Sequence, residues 1–205
     1  IDETSLEWFL RLGVVPWPRS IRPGVEHLPP GGLIRIDVNT ANVRRGRWWT
    51  PPIPQPFRDA DSREADDDRS TIEVVRESVH RRCRADREVG VFLSGGIDSR
   101  LVAALAAEVR PGLPCFTLAM PGPFDETSDA RRIAKQIGCP HHVVTPTQDE
   151  IIDAAMGLSR IADEPFADSS LVATTLLARA ARETIVVALG GDGGDELFGG
   201  YRRHA

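Results

Sequence analysis

Val89-Gly90-Val91-Phe92-Leu93-Ser94-Gly95-Gly96-Ile97-Asp98-Ser99-Arg100-Leu101-Val102 is the stretch that decides the fold. Val89 to Leu93 is a short, unbroken apolar run, as in a strand buried on both faces. Two glycines follow, and then Leu101, Val102, Leu105 and Val109 recur at helical spacing from a start near Arg100. A strand that runs through a glycine turn into a helix is half of a βαβ unit. The turn has a chemistry of its own. A helix N-terminus presents unpaired N–H groups and partial positive charge, which suits a phosphate. Gly95 and Gly96 let the backbone come close to oxygen atoms, and Ser94 and Ser99 add hydroxyl donors. Asp98 is the odd member, because a carboxylate repels phosphate unless a cation stands between them. It implies Mg²⁺, a hard ion that prefers oxygen ligands. A plain helix cap, with Asp98 complementing the dipole, is the competing structural reading. The strand–loop–helix setting favours phosphate.

The pattern repeats downstream. Strands are expected at Cys115 to Met120, His142 to Val144 and Ile185 to Leu189, alternating with helices at Asp129 to Ile137, Glu150 to Leu158 and Leu171 to Arg182. Ser70 is placed to cap a helix carrying Ile72, Val75, Val79 and Cys83. Continuous apolar strands separated by helices predict an α/β fold, a doubly wound parallel sheet with helices on both faces. Residues 70–205 form this domain, which is expected to continue past Ala205. Residues 1–50 read as an irregular N-terminal extension: a short helix closed by Gly13, then Leu33 to Val38 as a strand turning at Asn39 to Asn42 into Val43 to Trp49. Residues 51–69 hold four prolines and then an acidic run ending in Asp66-Asp67-Asp68, too few apolar groups to repay ordering, and are read as a flexible linker.

The chain has 205 residues, 41% hydrophobic and 27% charged, with a net charge of −5. Nothing there suggests a general nucleic-acid or membrane binder. Cys83, Cys115 and Cys139 lie far apart without metal-ligand spacing, so reduced thiols and a cytoplasmic location are expected. No apolar run reaches the roughly 18 residues of a membrane span, and the N-terminus lacks the basic start of a signal peptide.

A second motif follows the last strand: Leu189-Gly190-Gly191-Asp192-Gly193-Gly194-Asp195-Glu196-Leu197-Phe198-Gly199-Gly200-Tyr201. Six glycines and three acids at a strand end exceed what an ordinary turn needs. Gly190 and Gly191 can lie flat against a nucleotide, and Asp195 can offer a second carboxylate to the cation of Asp98. The Ser94–Ser99 loop lacks the lysine of a Walker A loop; it resembles the pyrophosphate loop of the ATP pyrophosphatases, which split ATP between its α- and β-phosphates. With the second motif, the chain resembles the synthetase domain of glutamine-hydrolysing asparagine synthetases over nearly its whole length. The same order of motifs includes Leu12-Gly13-Val14-Val15-Pro16 with Pro18-Arg19, Leu28-Pro29-Pro30-Gly31, Trp49 with Pro51, Phe116-Thr117-Leu118, Phe124-Asp125-Glu126, Gly138 with His141-His142, and Asp163 to Ser170.

The resemblance implies that Leu93, Leu118, Gly190 and Gly191 contact the nucleoside of ATP, that Ser94, Gly95, Gly96 and Ser99 hold its phosphates, and that Asp98 and Asp195 hold Mg²⁺. Asp192 stands where the family often has glutamate, a residue tied to forming and using a β-aspartyl-adenylate. The implied reaction joins aspartate and ATP into that adenylate and pyrophosphate, and ammonia then gives asparagine and AMP. Ammonia would come from glutamine through a glutaminase domain upstream; Ile1 is not the cysteine nucleophile such a domain begins with. A homodimer is allowed for. A β-lactam-synthetase-like enzyme acting on another carboxylate and a non-catalytic ATP-binding module are the alternatives. Of the weaker signals, His141-His142 are read as structural, Trp48 and Trp49 as packing anchors, and Asp163-Glu164-Pro165 as a loop facing the substrate. Asp168 and Ser169 are read either as part of that loop or as caps of the helix from Ser170.

Overall fold

The computed structural model describes residues 1–50, 69–120, 122 and 125–201, and within them the chain forms two compact units. The linker expected over 51–69 lies outside the described residues except for Arg69, as do Pro51 and Phe124. The first unit comprises Ile1–Asp66 with Gly157–Asp168, and all four tryptophans belong to it. Helix α1 (Glu3–Leu12) opens on Asp2, whose carboxylate accepts from the Ser5 N–H at 2.8 Å, and closes at Gly13. Strands β1 (Gly32–Ile36) and β2 (Val43–Arg47) pair as an antiparallel hairpin. Segment 157–168 joins them through a bridge between Val14 and Phe166 and a bond from Ala167 N–H to the Gly13 carbonyl at 2.9 Å. Trp48 is 74% exposed and Trp49 is 47% exposed, so they are surface residues of the hairpin's end rather than packing anchors; every residue of β2 beside them is exposed too.

The second unit is the α/β domain. Helix α2 (Thr71–Arg82) starts with a capping box, in which the Glu73 carboxylate accepts from the Ser70 N–H at 2.6 Å and its hydroxyl at 2.7 Å. There follow β3 (Val89–Phe92), α3 (Ile97–Val109), β4 (Cys115–Leu118), α4 (Thr127–Gln136), β5 (His141–Val144), α5 (Gln148–Gly157), α6 (Ser170–Ala181), β6 (Val187–Leu189) and α7 (Gly194–Phe198). The four strands pair in parallel in the order β5-β4-β3-β6, with Val91 opposite both Cys115 and Leu189.

Alternation along β3 assigns its side chains to two faces. Val89, Val91 and Leu93 pack with Cys115 and with Val79, Ala103, Ala106, Ala130 and Ala134 of α2, α3 and α4. Phe92 faces the other way and packs with Phe116, Leu177, Ala181 and Ile185 around α6. Two apolar clusters, one per face, are the doubly wound arrangement expected from the sequence. The strand order explains the division. Crossovers from β3 to β4 and β4 to β5 step in one direction, and the return to β6 steps the other way. Right-handed connections therefore place α3 and α4 on one face and α6 on the opposite one. The direction changes between β3 and β6, which is where a doubly wound sheet opens a crevice at its carboxyl edge.

Candidate active site

Both glycine-rich motifs leave from this switch point: Ser94–Ser99 follows β3 and Gly190–Tyr201 follows β6. Helix α3 begins at Ile97, three residues before the expected start, so Asp98 and Ser99 occupy its first turn. Gly96 precedes them in an extended conformation with no side-chain cap, and the N–H groups of a helix's first turn have no partner within the helix. Ser99 is buried and holds the loop closed on itself. Its Oγ accepts from the Ser94 N–H at 3.0 Å, lies 2.8 Å from Ser94 Oγ, and is within donating distance of the Ser94 carbonyl at 3.2 Å. The Gly96 N–H donates to Ser94 Oγ at 3.1 Å. The Gly95 N–H donates to Glu126 Oε2 at 2.8 Å, a contact the sequence did not reveal.

The second motif contains a short helix that the sequence reading did not assign. Gly194–Phe198 forms α7, which turns the end of the motif back toward the first one. Gly191 and Gly194 are glycine because Asp98 lies against them. A Cβ at 191 would stand 2.8 Å from Ser99 N and 3.0 Å from Asp98 Cβ, and a Cβ at 194 would meet the Asp98 carboxylate itself. The Asp192 carboxylate folds over Gly190, and the Asp195 carboxylate lies against Gly200.

Ser94, Gly96, Asp98 and Ser99 from one motif, and Gly190, Gly191, Asp192 and Asp195 from the other, line one cavity of about 450 Å³. Leu118 at the end of β4 lines it as well, with Phe92 and the α6 residues Ala173, Thr174 and Leu177 as an apolar wall. Leu93 does not: its side chain is 2% exposed in the core, and its carbonyl accepts the Thr117 hydroxyl at 2.6 Å. Only the backbone at Leu93 borders the loop. Gly95 is covered by Glu126 instead of lining the cavity. Sequence reasoning also missed the apolar wall and Tyr201, whose hydroxyl donates to Glu196 at 2.7 Å at the cavity rim. Phe92 and Tyr201 lie within the quoted motifs but were given no role there, and Ala173, Thr174 and Leu177 of α6 belong to no motif and are brought there by the fold.

The cavity's donor chemistry suits a hard cation carried by phosphate. Among the described residues no group of three or more His, Cys, Asp or Glu side chains is placed to hold a metal. Asp98 and Asp195, two carboxylates lining one cavity, are a donor set Mg²⁺ can use when phosphate oxygens and water complete its shell.

The profile of the asparagine synthase family matches residues 71–205. The chain belongs to that family. It is 37% identical over 98% of its length to a Mycobacterium tuberculosis protein provisionally named a glutamine-hydrolysing asparagine synthetase, and covers 31% of that protein. It is 27% identical over 98% of its length to glutamine-hydrolysing asparagine synthetase 1 of Bacillus subtilis, and again covers 31% of it. An NH3-dependent NAD synthetase from Campylobacter jejuni aligns over 63% of this chain and 58% of its own, at 18% identity and a TM-score of 0.44. The chain thus spans about a third of the curated family members it matches.

The weaker sequence signals have structural work to do here. His141 Nε2 lies 2.8 Å from the Thr117 hydroxyl, and His142 stacks on Phe116 with ring centroids 4.9 Å apart. Burial, with Arg131 nearby, lowers the His141 pKa below its ordinary value, which keeps the ring neutral among these partners. Glu164, expected in a substrate-facing loop, is engaged inside the first unit. It accepts from the Ser20 hydroxyl and from the Ile21 N–H at 2.8 Å and lies 3.4 Å from His27. Ser169 stands at the N-cap of α6 without a side-chain capping bond. The three cysteines are free and buried, and burial pushes the Cys115 thiol up to about 12. No described helix is long and apolar enough to cross a membrane.

Proposed function

We propose that this chain provides the adenylate-forming site of an ATP-dependent amide synthesis, with aspartate as the carboxylate and asparagine as the product. The observation that carries this reading is the meeting of Asp98 with Gly191 and Gly194 at the switch point, in one cavity shared with Asp195. Leu118 and the flat Gly190-Gly191 backbone take the nucleoside, and the Ser94–Ser99 loop and the first turn of α3 take the phosphates. Asp98 and Asp195 would hold Mg²⁺, which when bound neutralises charge building on the leaving pyrophosphate.

An oxygen of the β-carboxylate of aspartate attacks the α-phosphorus, and the bond to the β-phosphate bridging oxygen breaks. The products are an acyl adenylate and pyrophosphate. Ammonia then adds to the activated carbonyl, loses a proton, and AMP departs with the carbonyl–oxygen bond. The chain supplies orientation and charge complementarity rather than a nucleophile, as such transfers require. Asp192 is the carboxylate positioned to take the proton or to stabilise the ammonium formed on attack. It is one methylene shorter than glutamate, and that reach matters because small displacements of a catalytic group are costly. The glutamine-hydrolysing names of the relatives, and the third of their length covered here, support a glutaminase domain elsewhere in the complete protein, placed upstream in this reading, as the ammonia source.

ATP–pyrophosphate exchange by the complete protein, with a panel of carboxylates, tests the reading. Exchange that depends on aspartate and Mg²⁺, and disappears in Asp98→Asn and Asp195→Asn, is the expected result. Exchange with another carboxylate alone would make the enzyme a β-lactam-synthetase-like or other adenylating amidotransferase acting on that carboxylate. ATP binding without pyrophosphate release would leave only a nucleotide-binding module.

A further inference from the structure

The Gly95 N–H, one of the loop amides assigned above to phosphate, already has an anionic partner. Glu126 reaches it from the N-cap position of α4, 31 residues further along, with Oε2 at 2.8 Å. The side chain is also packed down on the loop: a Cβ at Gly95 would lie 2.8 Å from Glu126 Cβ and 3.0 Å from its carboxyl carbon. Glu126 is not needed where it stands as a helix cap. It makes no capping bond to α4; Asp125 does that work, accepting from the Thr127 N–H at 3.1 Å and from the Thr127 hydroxyl. An exposed glutamate has many rotamers, and this one spends its carboxylate on a loop amide.

A peptide N–H carries one proton. A glutamate oxygen and a phosphate oxygen cannot both receive it at full strength, and two anions at one amide repel. We propose that Glu126 is a tethered competitor for the anion-binding loop. It keeps the Gly95 amide satisfied when no ligand is present, and a nucleotide's phosphates must displace it. This rests on the nucleotide reading of the cavity and sets a threshold that any anion bound there has to exceed. An anion held by the loop alone, such as orthophosphate, has little else with which to displace the carboxylate. A triphosphate whose nucleoside is gripped at Leu118 and Gly190-Gly191 has more.

The test compares the complete wild-type protein with Glu126→Gln and Glu126→Ala. Binding of Mg-ATP, inorganic pyrophosphate and orthophosphate is measured by calorimetry, and the Gly95 amide resonance is followed in the ligand-free proteins. Loss of a charged hydrogen-bond competitor should tighten ATP and pyrophosphate about tenfold in Glu126→Ala and less in Glu126→Gln, which keeps an acceptor. The gain should be of similar proportion for orthophosphate, because each anion displaces the same contact, and the Gly95 resonance should move in both variants. The exposed position makes both variants compatible with folding, and Glu126→Gln preserves the shape should alanine not be tolerated. Wild-type binding with equal or weaker affinity in the variants, or an unmoved Gly95 resonance, overturns the competitor role and leaves the nucleotide reading standing. Failure of all three proteins to bind ATP or pyrophosphate overturns both.

Discussion

Asp98 is read from sequence as a metal-binding side chain, and the structure adds what that position demands of its neighbours. Gly191 is set against the backbone of the α3 first turn, where nothing flexible can yield. Gly191→Ala should therefore destabilise the protein by about 1–3 kcal/mol in urea titration, the range for overpacking, and weaken ATP binding as well. Leu93 and Leu118 separate two roles that the family resemblance merged. Leu93 is buried in the core, so Leu93→Ala should cost about 2–5 kcal/mol of stability through the cavity it leaves. Leu118 lines the site, and Leu118→Ala should raise KM for ATP with a smaller loss of stability, as steady-state kinetics beside denaturation curves would show. The residues named by motif were legible because glycine, serine and aspartate at a strand end have few other uses. Glu126 was not. Its reach to Gly95 depends on β4 lying beside β3, a fact of topology that no local pattern around Glu126 encodes.

At the level of elements, most helices and strands stand where periodicity puts them, and the departures have local causes. Helix α3 starts at Ile97 because Asp and Ser, poor in helix interiors, are favoured in a first turn where N–H groups need acceptors. Ile185 reads as strand yet closes α6: its N–H bonds back to the Ala181 carbonyl at 2.9 Å, and its side chain joins the cluster of Phe116 and Ala181. Helix α7 is hidden by flanking glycines, which argue against helix by propensity and here set its ends. The segment carrying Glu164 offers a pH test. Burial pulls the Glu164 carboxyl upward, but the Ser20 and Ile21 hydrogen bonds and the nearby His27 charge outweigh it and hold the pKa below the usual 4.5. A depressed carboxylate contributes stability that is present above the unfolded-state value and is lost as pH falls through the folded one. Thermal unfolding should therefore show a loss of stability below about pH 4.5 that is diminished in Glu164→Gln.

At the scale of the molecule, the parallel sheet and its switch point follow from the strand and helix alternation, and they alone bring two motifs almost a hundred residues apart to one crevice. The grouping of 157–168 with the first unit was not legible, because it rests on single bonds from Gly13 and Glu164 rather than on any run of apolar residues. Within the sheet, β3 and β4 are paired on both sides while β5 and β6 have one described partner each. Deuterium uptake should accordingly be slowest at β3 and β4 and faster at β5 and β6. The division of aromatic residues between the units has a practical result. Trp8, Trp17, Trp48 and Trp49 all lie in the first unit, whereas the single tyrosine, Tyr201, sits at the rim of the cavity in the second. Indole emission therefore originates in the first unit alone, and within the second unit only Tyr201 can report by intrinsic fluorescence.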